Sequence, residues 1–131
     1  MTDPARTSAV PAPDALAAAV RAYFAAMDAL DVEATVALFV PGGELECVTD
    51  GRHPRGHDEL RAFFHGVVDG SLGMDHPVTW IAVDPVRRTV ATVQDYHDVR
   101  ENGAVYDERT CNVFTFAADD RIARIRFWRA K

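Results

Sequence analysis

The chain has few features that pin it covalently or draw it to a polyanion. Only two cysteines, Cys47 and Cys111, occur among 131 residues. With so few, free thiols in a cytoplasmic protein are expected, although sequence alone leaves a Cys47–Cys111 bridge open. No run approaches the roughly eighteen apolar residues of a membrane span. No basic start followed by an apolar run marks a secretory leader. No membrane partner is therefore expected. The net charge is −6, and there is no basic stripe. A nucleic-acid partner is excluded on that ground, because phosphate binding needs clustered cations that release counterions. The one local cluster, Arg121, Arg124, Arg126 and Arg129, has a spacing that suits the solvent side of a strand. There is no internal repeat and no second-domain boundary.

What is present is enough for one core: 48% of residues are hydrophobic, at the usual length of a single domain. Residues 1–13, rich in Pro, Ala and Ser, read as a disordered tail. Residues 14–131 read as one domain. Asp14 is the expected N-cap of a helix reaching Leu30, with Leu16, Val20, Tyr23, Met27 and Leu30 at helical spacing. Asp31 caps a short helix over 32–40, which Pro41-Gly42-Gly43 breaks. Glu44 to Val48 alternates as a half-buried strand with Leu45 and Cys47 inward. Residues 49–56 form a loop. A third helix spans His57 to Val68, with Leu60, Phe63, Phe64 and Val67 as its stripe. Strands follow over 76–84, 88–99, 105–117 and 121–130, with a hairpin turn at Asn102-Gly103. Helix, helix, strand, helix and a four-strand meander predict an α+β layout: a curved antiparallel sheet with helices on one face.

The chemistry concentrates in residues 75–99. His76 opens one strand, and Asp95 and His97 close the next, about twenty positions later. Antiparallel pairing makes them neighbours. The odd face of 88–99 begins with Ala91 and Val93, so it is expected inward, carrying Asp95 and His97 with it. On the following strand Asn112 shares the aromatic face of Phe114 and Phe116. On the last, Ala123, Ile125 and Phe127 face in and the arginines face out. Buried polar groups need one another or a wet pocket. His53 and His57 are four apart, but Pro54 and Gly56 between them make this a loop, and no metal site is expected.

The text AYFAAMDALDVEATVALF, with GHDELRAFF further on, resembles the opening helices of the nuclear-transport-factor-2-like superfamily in its SnoaL-like branch. The resemblance runs from about Leu16 to Trp128. It implies a cone-shaped roll in which a curved mixed or antiparallel sheet carries three helices on its concave face. Ketosteroid isomerase, scytalone dehydratase and bile-acid 7α-dehydratase share that fold, and a polyketide- or steroid-like ligand in a hydrophobic pocket is implied. Tyr23 matches the isomerase's oxygen-binding tyrosine, and Asn112 its second oxyanion donor. The isomerase base falls on Cys47, whose thiol is a poor proton shuttle. The dehydratase positions resemble Tyr23, Asp28, His76 and either His97 or Asp95. Asp28 lies about 140° around the helix from Tyr23, away from a shared narrow face.

These residues suit a cofactor-independent lyase or isomerase, dehydratase-like, acting on a small apolar oxygenated ring. His76 is the expected base, oriented by Asp28 or Asp95. His97 is the candidate acid, although the sequence leaves open which of the two histidines is base and which acid, and Tyr23 and Asn112 are placed to hold the carbonyl oxygen. Cys47, Phe114 and Trp80 are expected to contact the substrate. No cofactor or metal is required. The alternative is a non-catalytic module that binds a small molecule or dimerises. The discriminating feature is whether Tyr23, Asp28, His76 and His97 converge on one cavity; if the histidines lie apart, or no cavity of roughly 300 Å³ or more is present, the enzyme reading fails. Epoxide hydrolysis is disfavoured because no inward arginine is evident. A homodimer is expected through an apolar outer sheet face bearing Val113, Trp128 and Tyr96.

Overall fold

The structure, a computed structural model, describes residues 10–130. The expected tail therefore lies largely outside the described residues. Helix α1 spans Pro13–Asp28, with Leu16, Val20, Tyr23, Phe24 and Met27 buried on one face. Its N-cap is Ala12 rather than Asp14. Pro13 opens the helix because its missing N–H is an orphan there anyway, and Asp14 sits in the first turn, where the helix dipole favours a carboxylate. Leu30, at φ 58°, turns the chain out of the helix.

Asp31 then caps α2 (Val32–Ala37), its Oδ1 accepting from the Ala34 N–H at 2.9 Å. This helix ends before residue 40. Strand β1 (Phe39–Cys47) takes over, and the expected breaker Pro41-Gly42-Gly43 lies inside it as an irregularity in the pairing. An edge strand tolerates this, because a proline there need not donate to a ladder.

Helix α3 (Gly56–Val68) buries Leu60, Phe64 and Val68. A short strand absent from the expectation follows, β2 (Ser71–Asp75), then β3 (Val78–Asp84), β4 (Thr89–Arg100), β5 (Val105–Phe116) and β6 (Ile122–Arg129). The curved, mixed sheet runs β1-β6-β5-β4-β2, with β3 also on β4. The β1–β6 pair is parallel and the others antiparallel. Helices α1 and α3 cover its concave face. Phe114 is fully buried beneath them, with its ring 5.5 Å from Tyr23 and 5.8 Å from Phe24.

The sheet phase differs from expectation on β4. Val90, Thr92, Gln94 and Asp98, the even residues, are the buried ones. Asp95 and His97 face outward, and Tyr96 belongs to the inner face, not the outer apolar one. Odd residues such as Ala91 and Val93 lie outside, opposite Val113 and Cys111 of β5. Cys47 and Cys111 are both free thiols, Cys47 being buried. Among the described residues no helix is long and apolar enough to cross a membrane.

Candidate functional site

The strand that should have been continuous from residue 76 to residue 84 is interrupted at its start. Strands β2 and β3 lie end to end along β4: Asp75 pairs with His97, and Val78 with Gln94. Pro77 cannot donate to the ladder, though its carbonyl accepts the Asp95 N–H at 3.1 Å. At this break His76 swings off the sheet toward the C-terminal end of α1. There Asp28 holds it twice. Oδ1 meets the imidazole Nδ1 at 2.6 Å, and Oδ2 accepts the His76 backbone N–H at 3.2 Å. One contact holds the ring and the other the backbone beside it, and Nε2 has no hydrogen-bond partner among the described residues. The imidazole is also sandwiched, with centroids 5.2 Å from Phe24 and 5.1 Å from Tyr96.

His76 lines a cavity of about 210 Å³ between the helices and the concave sheet. Tyr23, Phe24 and Met27 of α1 and Phe63 and Phe64 of α3 form its apolar walls, with Leu45 and Phe127 below. Its floor is polar and ordered. Thr92 donates to Gln94 Oε1 at 2.6 Å. Gln94 Nε2 in turn donates to Thr110 Oγ1 at 2.6 Å and Asn112 Oδ1 at 2.9 Å. The Asn112 amide nitrogen and the Tyr23 hydroxyl have no partner among the described residues, and both residues line the cavity. Burial, and then the nearby negative charge of Asp28, push the Tyr23 phenol well above the ordinary tyrosine range. It therefore remains a neutral donor.

A second buried cluster borders the same cavity through Tyr96, Asp98 and Arg100. Asp98 has no exposed side-chain surface. It accepts from Ser71 Oγ at 2.6 Å, Tyr96 at 2.5 Å and Arg100 Nη1 at 2.9 Å. Arg100 also donates to the Val67 carbonyl. Burial, followed by the bond to Asp98, raises the Tyr96 phenol.

The expected residues divide sharply by place. Tyr23, His76 and Asn112 line the cavity, and Asp28 stands behind His76 without lining it. His97 and Asp95 do not converge with them. They lie on the opposite face, where His97 pairs with Asp107 at 3.0 Å and Asp95 with Arg109 at 3.2 Å. Trp80 is 54% exposed on the outer surface. A register shift between Val78 and Trp80 puts Trp80 out, while Ile81 and Val83 pack on the core. Phe114 lies beneath Tyr23 and Phe24 rather than on the cavity wall, and Cys47 is buried beyond Leu45. The two histidines lie apart, and the cavity, at about 210 Å³, is below the expected size of roughly 300 Å³. The condition set for an enzyme built on both histidines is therefore not met; what remains is a site with one histidine, His76.

Several lining residues were absent from the sequence-based set: Gln94, Tyr96, Asp98, Arg100, Thr110 and Arg129. Their signal was the alternation Thr92, Gln94, Tyr96, Asp98, Arg100, a polar stripe at the period of a strand. Such a stripe reads as solvent-facing until helices are known to cover it. Arg129 continues the inward phase of Ile125 and Phe127, unlike Arg124 and Arg126, which pair with Glu46 on the other face. Inward arginines are therefore present. Asp98 is the one carboxylate among the lining residues, so a pair of aspartates around one arginine is not assembled. His53 and His57 are separately engaged, with Glu44 at 2.9 Å and the Phe39 carbonyl at 3.0 Å.

A curved sheet closed by helices over a small cavity is the nuclear-transport-factor-2-like architecture. Residues 20–125 match the SnoaL-like domain, and the chain belongs to that family. No curated protein matches the sequence. Solved structures share the fold at low identity. AusH from Aspergillus nidulans superposes with TM-score 0.82 at 15% identity, over 92% of this chain and 87% of that one. SalBIII, described as an epoxide hydrolase/cyclase-like enzyme in salinomycin pyran ring formation, gives 0.80 at 18%, over 89% and 92%. A candidate polyketide cyclase from Xanthomonas campestris gives 0.77 at 17%, over 88% and 90%.

Proposed function

We propose that the chain is a cofactor-independent acid–base enzyme of the lyase or isomerase type, dehydratase-like, acting on a small oxygenated ring held in the cone. The observation that carries this reading is the His76–Asp28 pair at the cavity wall, with Nε2 the nitrogen free for the substrate. In this mechanism Nε2 removes the proton next to a ring carbonyl. Tyr23 and the Asn112 amide donate to the developing enolate oxygen. The β-hydroxyl leaves, taking the same proton back from the imidazolium, and departs as water. His97 has no part in this scheme, so one histidine serves as base and then acid. A cavity of about 210 Å³ suits a single ring rather than a steroid.

The test uses 3-hydroxycyclohexanone, with formation of the enone followed by absorbance and α-proton exchange by NMR in deuterated water. Wild-type protein should catalyse both, and His76→Gln should lose the activity. Equal rates for the two proteins would remove the base assignment. The alternative, a dimerising or ligand-binding module, draws on the outer face, where exposed Trp80 lies across from Val93 beside Cys111 and Val113. Light scattering is the check: a monomer mass at micromolar concentration removes the dimer.

A further inference from the structure

The charges around the cavity are sorted by side. Arg52 and Arg129 line it, while their partners Asp50 and Glu108 do not. Arg129 gives Nε and Nη2 to Glu108, at 2.7 to 3.2 Å, and Arg52 gives Nε and Nη2 to Asp50 Oδ2, at 2.9 and 2.7 Å. In each case Nη1 has no carboxylate partner among the described residues. Both guanidinium planes are braced by rings, Arg52 4.8 Å over Phe63 and Arg129 5.9 Å over Tyr106. Arg100 adds a third cation to the lining. The one lining carboxylate, Asp98, is saturated by Ser71, Tyr96 and Arg100 and has no exposed surface. A chain of net charge −6 therefore turns guanidinium groups, and no accessible carboxylate, toward its cavity.

We propose that the cavity mouth is an anion subsite, and that the natural ligand is a single-ring carboxylate whose acid group is held by Arg129 and Arg52. This rests on the ring-binding reading above and narrows its substrate class. With Nε and Nη2 already given to Glu108 and Asp50, each guanidinium offers a ligand carboxylate its Nη1 N–H groups as charge-assisted donors. Carboxylate partners behind the forks and rings beneath them hold both side chains in place, so little side-chain entropy remains to be lost on binding. From this mouth the ring enters along Tyr106 and Tyr96, whose centroids are 6.2 Å apart, toward His76.

The experiment compares 4-fluorobenzoate with its neutral near-isostere 4-fluorobenzamide by fluorine NMR on the full chain. The carboxylate should bind about tenfold tighter or more, and added salt should narrow the gap. Arg129→Gln with Arg52→Gln should reduce the preference to about twofold or less, with thermal melting as the control for folding. Equal binding of the two compounds by wild-type protein, or no binding of either, overturns the proposal. That comparison needs no variant, so it stands even if the double substitution fails to fold. Dehydration of neutral 3-hydroxycyclohexanone without carboxylate preference would overturn the subsite alone. Carboxylate preference without any dehydration would overturn the base assignment alone.

Discussion

The two faces of β4 share one backbone and one alternation but have opposite physics. The outer face pairs His97 with Asp107 and Asp95 with Arg109 near solvent, where such pairs contribute about 0–1 kcal/mol. The inner face buries Thr92, Gln94 and Asp98 in a lattice of hydrogen bonds under two helices. There every donor and acceptor must be matched, because an orphaned polar group costs about 1–3 kcal/mol. Residues one position apart therefore differ in what their loss should do.

The largest contrast is expected at Asp98. Asp98→Ala strands the Arg100 charge and the Ser71 and Tyr96 hydroxyls, and should cost about 3–5 kcal/mol by denaturant unfolding. His97→Ala, its neighbour, should stay within about 0.5 kcal/mol of wild type. Comparable losses would break the division between faces.

Next comes catalysis. His76→Gln or Asp28→Asn should lower dehydration about 10²- to 10⁴-fold while His97→Gln leaves it unchanged. Dependence on His97 would return the site to the outer face. A smaller effect is expected at Gln94. Gln94→Ala leaves partners on Thr92, Thr110 and Asn112, and should cost about 1–3 kcal/mol, against at most about 1 kcal/mol for Asp95→Ala.

The smallest effect concerns alkaline pH. Tyr23 and Tyr96 have folded pKa values raised above the ordinary 10.0. Above that pH the unfolded chain loses these protons while the folded chain keeps them, so stability falls as pH rises. For Tyr23 the slope is at most about 1.4 kcal/mol per pH unit. Tyr23→Phe should flatten it when denaturant midpoints at about pH 9 and 11 are compared; an unchanged slope would deny the phenol its buried setting.

The helices were legible because their periodicity is internal to each element: Leu16, Val20, Tyr23 and Met27 share a face whatever lies opposite. The inward phase of β5 was legible from Phe114 and Phe116, rings too large to leave in water. The nearness of His76 to the end of β4 followed from antiparallel pairing alone. Strand β2 was not legible, since SLGMD is short, glycine-bearing and ends where the strand pairing is interrupted at His76 and Pro77.

The amino-acid sequence by itself determined the order of elements, the helical faces and which stretches of backbone meet. Only the tertiary structure decided which side of β4 is the interior. Alternation has a period of two and says nothing about sign, so a polar stripe looks the same whether it faces solvent or a lined cavity. Here the helices close over the polar side. That places Gln94, Tyr96 and Asp98 within, leaves His97 without, turns Arg129 toward the cavity, and lets Asp28 of α1 reach His76 across 48 positions of chain.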